Sequence, residues 1–176
     1  MIRLLAPRDY RVMPWKNGGG TTTEIFIFPE GAGWDTFRWR VGIADIRRSG
    51  PFSSFPGIAR SIMLLECPAG SGMRLTIDSR EIDLPLHRFV DFAGEETTTG
   101  TLLGEPVRDF NVMSRRERVQ HRCGFQDLAA SLPFTIAGES TFAHVIAGDA
   151  VYLSDAGTQR LAASTKRTIL SDDMAE

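Results

Sequence analysis

Pro14-Trp15-Lys16-Asn17-Gly18-Gly19-Gly20-Thr21-Thr22-Thr23-Glu24 runs without a break into Ile25-Phe26-Ile27-Phe28, and the residues after the glycines decide the fold. Three consecutive glycines cost conformational entropy, so a chain keeps them where the backbone needs positive φ or where another group comes closer than a Cβ permits. A phosphate-cradling loop would open onto a helix N-terminus and carry G-x-x-x-x-G-K-[ST] or G-x-G-x-x-G. Here a β-branched threonine run comes next, which favours a strand. The segment therefore reads as a tight turn entering a strand, and nucleotide binding is set aside.

The same chemistry repeats outward from this stretch. Short apolar runs rich in Phe, Ile, Val and Thr are punctuated by Gly and Pro at roughly 8–12-residue spacing, the signature of antiparallel strands. Strands are expected at 21–28, 38–44, 60–67, 74–77, 81–84, 89–92, 101–103, 107–113, 119–123, 134–137, 141–146, 150–153 and 167–170, with a short helix at 125–131. So many short strands imply sheets closed into a barrel or jelly roll, because closure removes the exposed edges that would otherwise aggregate. No linker-like tract divides the chain, so two lobes, if present, share one fused core. The terminal residues 171–176 are polar and expected to fray.

The 176 residues are 42% hydrophobic and 24% charged, values of an ordinary globular chain of about one domain. Lys and Arg total 20 against 22 Asp and Glu, a net charge of −2, so no global basic field exists to hold nucleic acid or an anionic membrane. The N-terminal apolar run breaks at Pro7 and no stretch approaches membrane-spanning length, so a cytoplasmic location is expected. Cys67 and Cys123 lack C-x-x-C spacing and read as buried thiols.

Strand alternation then sorts the polar side chains. Thr22, Glu24 and Phe26 point one way and Thr21, Thr23, Ile25 and Ile27 the other; Arg38, Arg40 and Gly42 alternate with Trp39, Val41 and Ile43; Asp109 and Asn111 share a face opposite Arg108, Phe110 and Val112. Periodicity alone leaves open whether these polar faces meet solvent or line a pocket. Buried, Asp109 and Asn111 need partners, since each unsatisfied group costs ~1–3 kcal/mol. Ser49–Arg60 combines two Pro, two Gly and two Phe in what should be a structured loop, its aromatics lidding a pocket or plugging a barrel end. His87, His121 and His144 show no H-x-H spacing, and no G-x-S-x-G, S-x-x-K or H-E-x-x-H motif occurs, so neither a metal nor a standard hydrolase is indicated.

Taken in order, P-W-K-N-G-G-G-T-T-T-E-I, W-R-V with A-x-I, G-P-F-S-S-F-P-G-x-x-R and D-F-N-V-M-S-R-R resemble the HutD/Ves family. The resemblance implies an all-β bicupin, an RmlC-like jelly roll of two small fused β-barrels, with the motif residues in a first barrel of roughly 1–116 and a second lobe of roughly 117–176. It implies a bacterial cytoplasmic protein associated with histidine utilisation, modulating that pathway rather than catalysing a step. The cupin metal pattern G-x5-H-x-H-x3,4-E-x6-G is missing, so no metal or other cofactor is expected.

Carried over position by position, the motif residues are Trp15, Lys16, Asn17, Gly18, Gly19, Gly20, Thr22, Glu24, Arg40, Phe52, Ser53, Arg60, Asp109, Asn111 and Arg115. All but Gly18, Gly20 and Arg115 are taken as ligand-binding. Lys16, Arg40 and Arg60 suit a small anionic metabolite, Arg as a bidentate fork and Lys as a point charge. Asn17, Thr22 and Asn111 supply neutral hydrogen bonds, Glu24 and Asp109 orient the cations or accept from an amide or amine, and Trp15 and Phe52 wall the site. The expected function is a ligand-binding regulator for a carboxylate such as urocanate or N-formylglutamate. The alternatives are a metal-independent cupin enzyme with Glu24 or Asp109 as general base, which a raised carboxyl pKa would favour, and a stress-related protein–protein adaptor. Homodimers are common among cupins, but the sequence shows no interface.

Overall fold

A computed structural model of the chain describes residues 2–126, 140–146, 149–154, 157–162 and 168–172. Apart from a 3₁₀ turn at Pro7–Asp9, every regular element in them is a strand: β1 (Ile2–Leu5), β2 (Arg11–Pro14), β3 (Gly20–Phe28), β4 (Trp39–Ile46), β5 (Gly50–Pro51), β6 (Ile58–Glu66), β7 (Gly72–Ile77), β8 (Arg80–Asp83), β9 (Val90–Ala93), β10 (Thr98–Leu103), β11 (Val107–Arg115), β12 (Ser140–His144), β13 (Asp149–Ser154), β14 (Gly157–Ala162) and β15 (Thr168–Asp172).

Contacts group these into two units, Arg11–Asp127 on one hand and Met1–Tyr10 with Leu128–Glu176 on the other. The division thus falls at different places from the expected 116/117 boundary. The N-terminal residues join the smaller unit through the pairing of β1 with β15, Ile2 opposite Ser171 through Leu5 opposite Thr168, a contact between chain ends that no local pattern announces. In that smaller unit β15 also pairs with β12, and β13 with β14.

The larger unit is two antiparallel sheets, one of six strands in the order β2-β3-β4-β11-β6-β9 and one of four in the order β5-β10-β7-β8. Neighbours far apart in sequence, β4 with β11 and β5 with β10, give it the connectivity of a jelly roll. Ala44, Ile46, Ile62, Leu64, Phe92 and Val107 from the larger sheet pack against Met73, Leu75 and Ile77 from the smaller, with Leu84. The all-β, cupin-like class expected from the sequence is the one observed.

Two local readings need correction. Ile25 is a bulge in β3: Glu24 pairs with Gly42 but Phe26 with Val41, so Phe26 turns to the face of Trp39 and Ile27 joins Glu24 inside. Residues 119–123 form no ladder; the segment lies over the sheet by its side chains, with His121 Nε2 2.8 Å from Ser61 Oγ and Nδ1 2.6 Å from Ser114 Oγ. Of the expected helix at 125–131, Phe125 and Gln126 are not helical and the rest lies outside the described residues, as does the expected strand at 134–137.

The glycine run is used at its two ends for different reasons. Gly18 has φ +67° in the turn closed by its N–H to Trp15 O, while a Cβ on Gly20 would collide with Asp45 O and press on the Trp15 ring. Gly18→Ala should therefore cost only the left-handed penalty of about 1–2 kcal/mol, and Gly20→Ala at least ~3 kcal/mol from overpacking against backbone. Urea unfolding of both variants checks this, and equal losses would contradict it.

Candidate functional site

Register places Thr22, Glu24, Arg40, Arg60, Asp109 and Asn111 on the inner face of the larger sheet. Across neighbouring strands, Thr22, Ala44, Asp109 and Leu64 form one row; Glu24, Gly42, Asn111 and Ile62 the next; Ile27, Arg40, Met113, Arg60 and Phe92 the third. The basic face read for the 38–44 strand divides, Arg38 being exposed and Arg40 buried, while the exposed reading of Asp109 is closed: Arg40, Arg60 and Asp109 are only 5%, 6% and 1% exposed. Gly42 stands between Glu24 and Asn111 without a side chain, so strand spacing leaves those two about 10 Å apart across a bare backbone.

Glu24 and Arg40 are diagonal neighbours, within reach of long side chains, and form an ion pair with Oε2 and Nη2 2.9 Å apart. Burial pulls the Arg40 pKa down, partly offset by Glu24. The Arg60 guanidinium lies among three phenyl rings, 4.9 Å from the centroid of Phe92, 5.1 Å from Phe52 and 5.7 Å from Phe55. Burial lowers its pKa to about 10, against the attraction of Asp109, so it is still charged at neutral pH. Cation–π contact replaces part of the lost hydration.

Asp109 is the most perturbed carboxyl. Burial raises its pKa to about 7; the charge of Arg60 and a hydrogen bond from the Ala44 backbone oppose the rise, and Asp45 adds to it. Among the described residues Asp109 Oδ1, Asn111 Oδ1 and Arg60 Nε are buried with no hydrogen-bond partner. Unsatisfied groups of this kind are few in native proteins and ask for an explanation, such as a ligand or water.

The remaining expected residues are distributed less tightly. Trp15 packs on the core and its Nε1–H donates to Thr22 Oγ1 at 2.8 Å. Asn17 Oδ1 accepts from Gly19 N–H at 2.9 Å, which makes it a turn former. Lys16, Asn17 and Ser53 are exposed. Arg115, set aside from the ligand set, holds the loop before β4: it donates to the carbonyls of Trp34, Asp35 and Phe37.

Two aromatic neighbours, Trp34 and Phe92, were not foreseen, whereas Phe55 is one of the two aromatics of the Ser49–Arg60 loop. Phe55 and Phe92 flank Arg60, and Trp34 stacks on Phe55 with centroids 5.1 Å apart while the Arg40 guanidinium lies 4.3 Å from its ring. Trp34 sits in a loop, where strand alternation gives no direction; the available signal was a tryptophan amid Pro, Gly and Asp. Among the described residues no three His, Cys, Asp or Glu come together to hold a metal ion, and no helix is long and apolar enough to cross a membrane.

Comparison with known proteins matches this arrangement to a group. The chain is 45% identical over 129 residues to an uncharacterized 21.2 kDa protein in the hutC 3′ region of Pseudomonas putida, covering 72% of this chain and 65% of that one. Protein Ves of Citrobacter koseri is 38% identical over 68% of this chain and 62% of its own, so the matches span a little under two thirds of these relatives. Protein Ves of Escherichia fergusonii is 32% identical over 93% of this chain and 91% of its own. Among solved structures, HutD from Pseudomonas fluorescens SBW25, in a formate condition, aligns over 100% of this chain and 90% of that chain, with 29% identity and a TM-score of 0.70. A conserved protein of unknown function from Pseudomonas aeruginosa PAO1 aligns over 100% and 89%, with 28% identity and a TM-score of 0.73. With the HutD family model matching residues 7–175 as well, the chain belongs to the HutD family.

Proposed function

We propose that this HutD-family chain binds a small carboxylate on the inner face of its six-stranded sheet and acts as a regulator in histidine utilisation, with urocanate or N-formylglutamate as ligand. One observation carries the binding reading: two guanidiniums are withdrawn from water onto one sheet face, and Arg60 Nε there has no partner. A carboxylate supplies the acceptor that this donor lacks and takes the bidentate geometry that guanidinium offers. The formate condition of the Pseudomonas fluorescens HutD structure and the hutC 3′-region position of the Pseudomonas putida relative support the ligand class and the pathway.

A second reading, a metal-independent enzyme, is favoured by Asp109. A buried carboxyl with a pKa of about 7 has the proton affinity of a general acid or base working near neutrality. For the adaptor reading, the aromatic that bears on it in residues 117–176 is Phe125, 38% exposed with its ring stacked on His87.

A thermal-shift screen against urocanate, N-formylglutamate, formate, histidine and glutamate tests the first reading. A carboxylate at 100 times its dissociation constant adds ~2.7 kcal/mol of stability, a rise of roughly 5–10 °C for a chain of this size. Arg60→Lys, which keeps the charge but loses the fork, should weaken binding at least tenfold. Lys16→Ala, at an exposed position, should change it less than threefold. No shift with any carboxylate would sink the reading, and loss of the ligand during incubation would promote the enzyme.

Asp109 should also mark the stability of the free protein. Because its folded pKa lies above the unfolded value, the folded state holds the extra proton between about pH 4 and 7. Stability contributed by that proton is complete below this window and is lost as pH rises through it. Asp109→Asn should remove this decline, read as urea midpoints from acid to neutral pH; an unchanged slope in the variant would show that other groups cause it.

A further inference from the structure

The unpartnered atoms on the inner face are of two kinds that a bare carboxylate cannot both satisfy. Arg60 Nε is a donor, whereas Asp109 Oδ1 and Asn111 Oδ1 are acceptors. An ionised Asp109 would present negative charge to an incoming carboxylate at a site almost without solvent, where like charges strongly disfavour joint ionisation. Protonated, the same side chain becomes an O–H donor, and its orphaned oxygen gains a use. Buried carboxylic acids kept neutral for this purpose are a known device for holding an oxyanion.

The charges facing Asp109 fit this arrangement. Arg60 on β6 attracts, Arg40 on β4 is occupied by Glu24 on β3, and Asp45 on β4 repels from the other side of its strand. The opposing sheet presents Met73, Leu75 and Ile77. Arg40 and Arg60 against Glu24 leave one positive charge when Asp109 is neutral and none when it is ionised.

We propose that the inner-face site takes up one proton with its ligand, Asp109 entering the complex as a carboxylic acid that donates its O–H to the ligand's carboxylate. The proton comes from solvent and no covalent bond changes. The inference rests on the carboxylate-binding reading above and adds the regulation of that site: occupancy falls as pH rises, at fixed ligand concentration.

Calorimetric titration of the full chain with formate and with N-formylglutamate, neither of which titrates above about pH 6, tests it in paired buffers of different ionisation enthalpy. Affinity should be level below about pH 7 and then fall about tenfold per pH unit, with buffer-dependent heats reporting uptake that rises towards one proton near pH 8. Asp109→Asn, which keeps a donor, should bind with a pH-independent constant and buffer-independent heat. Binding by the wild type with level affinity and no proton uptake would overturn this proposal alone, as would an Asp109→Asn variant that keeps the linkage. Failure of both compounds to bind at any pH would overturn the carboxylate reading and this proposal together. Should the variant not fold, the wild-type buffer comparison decides.

Discussion

Two arginines held away from water are the constraint around which the larger unit is arranged. A desolvated guanidinium is tolerable only with partners, and each arginine has a different set. Arg40 has the Glu24 carboxylate and the Trp34 ring. Arg60 has three phenyl rings and the distant charge of Asp109. Those rings in turn dictate sequence elsewhere: Phe52 reaches its place because β10 has Gly100 beneath it, where a Cβ would fall 2.9 Å from the ring. Asp109 sits high in pKa because it is buried, and the charge of Arg60 offsets that only in part.

The six-stranded sheet is buried on both sides. Val41, Ile43, Met63, Leu65, Phe110 and Val112 alternate with the inner residues and are as hidden as they are. Such strands read as continuous apolar runs rather than alternating ones, as Ile62-Met63-Leu64-Leu65 shows. Two hydroxyls on that outer face, Ser61 and Ser114, are satisfied by His121, and Ser61 also by Asp91. Burial holds His121 below its usual pKa, with Asp91 opposing, and the ring serves as a tie for the segment after β11.

This double burial explains what could and could not be read beforehand. Turn glycines and β-branched runs located β3, β4, β6, β7, β10 and β11 to within a few residues, because those signals are local. Alternation grouped Asp109 with Asn111 and Thr22 with Glu24 correctly, but could not say which face was inside when both faces carry apolar residues. The Ile25 bulge was invisible, since an extra residue in a strand leaves no composition signal. Residues 119–123 imitated a strand because Val119, His121 and Cys123 alternate towards the sheet without pairing along it. β1 escaped notice because its partner lies at the other end of the chain. For the candidate site, motif resemblance gathered Glu24, Arg40, Phe52, Arg60, Asp109 and Asn111 and loop composition pointed to Phe55, while Trp34 and Phe92 required the third dimension.

Arg115 gives the Trp34 side of this arrangement its character. With three carbonyls of the loop before β4 bonded to one guanidinium, and its own N–H bonded to Arg38 O, the backbone under Trp34 is fixed before any ligand arrives. Ordering a loop on binding costs ~0.5–1.5 kcal/mol per immobilised side chain. A loop already ordered spares that entropy, so under the proposed binding, affinity at this face would reflect contacts made with the ligand rather than contacts spent on freezing the protein, and association would proceed without waiting for a rearrangement.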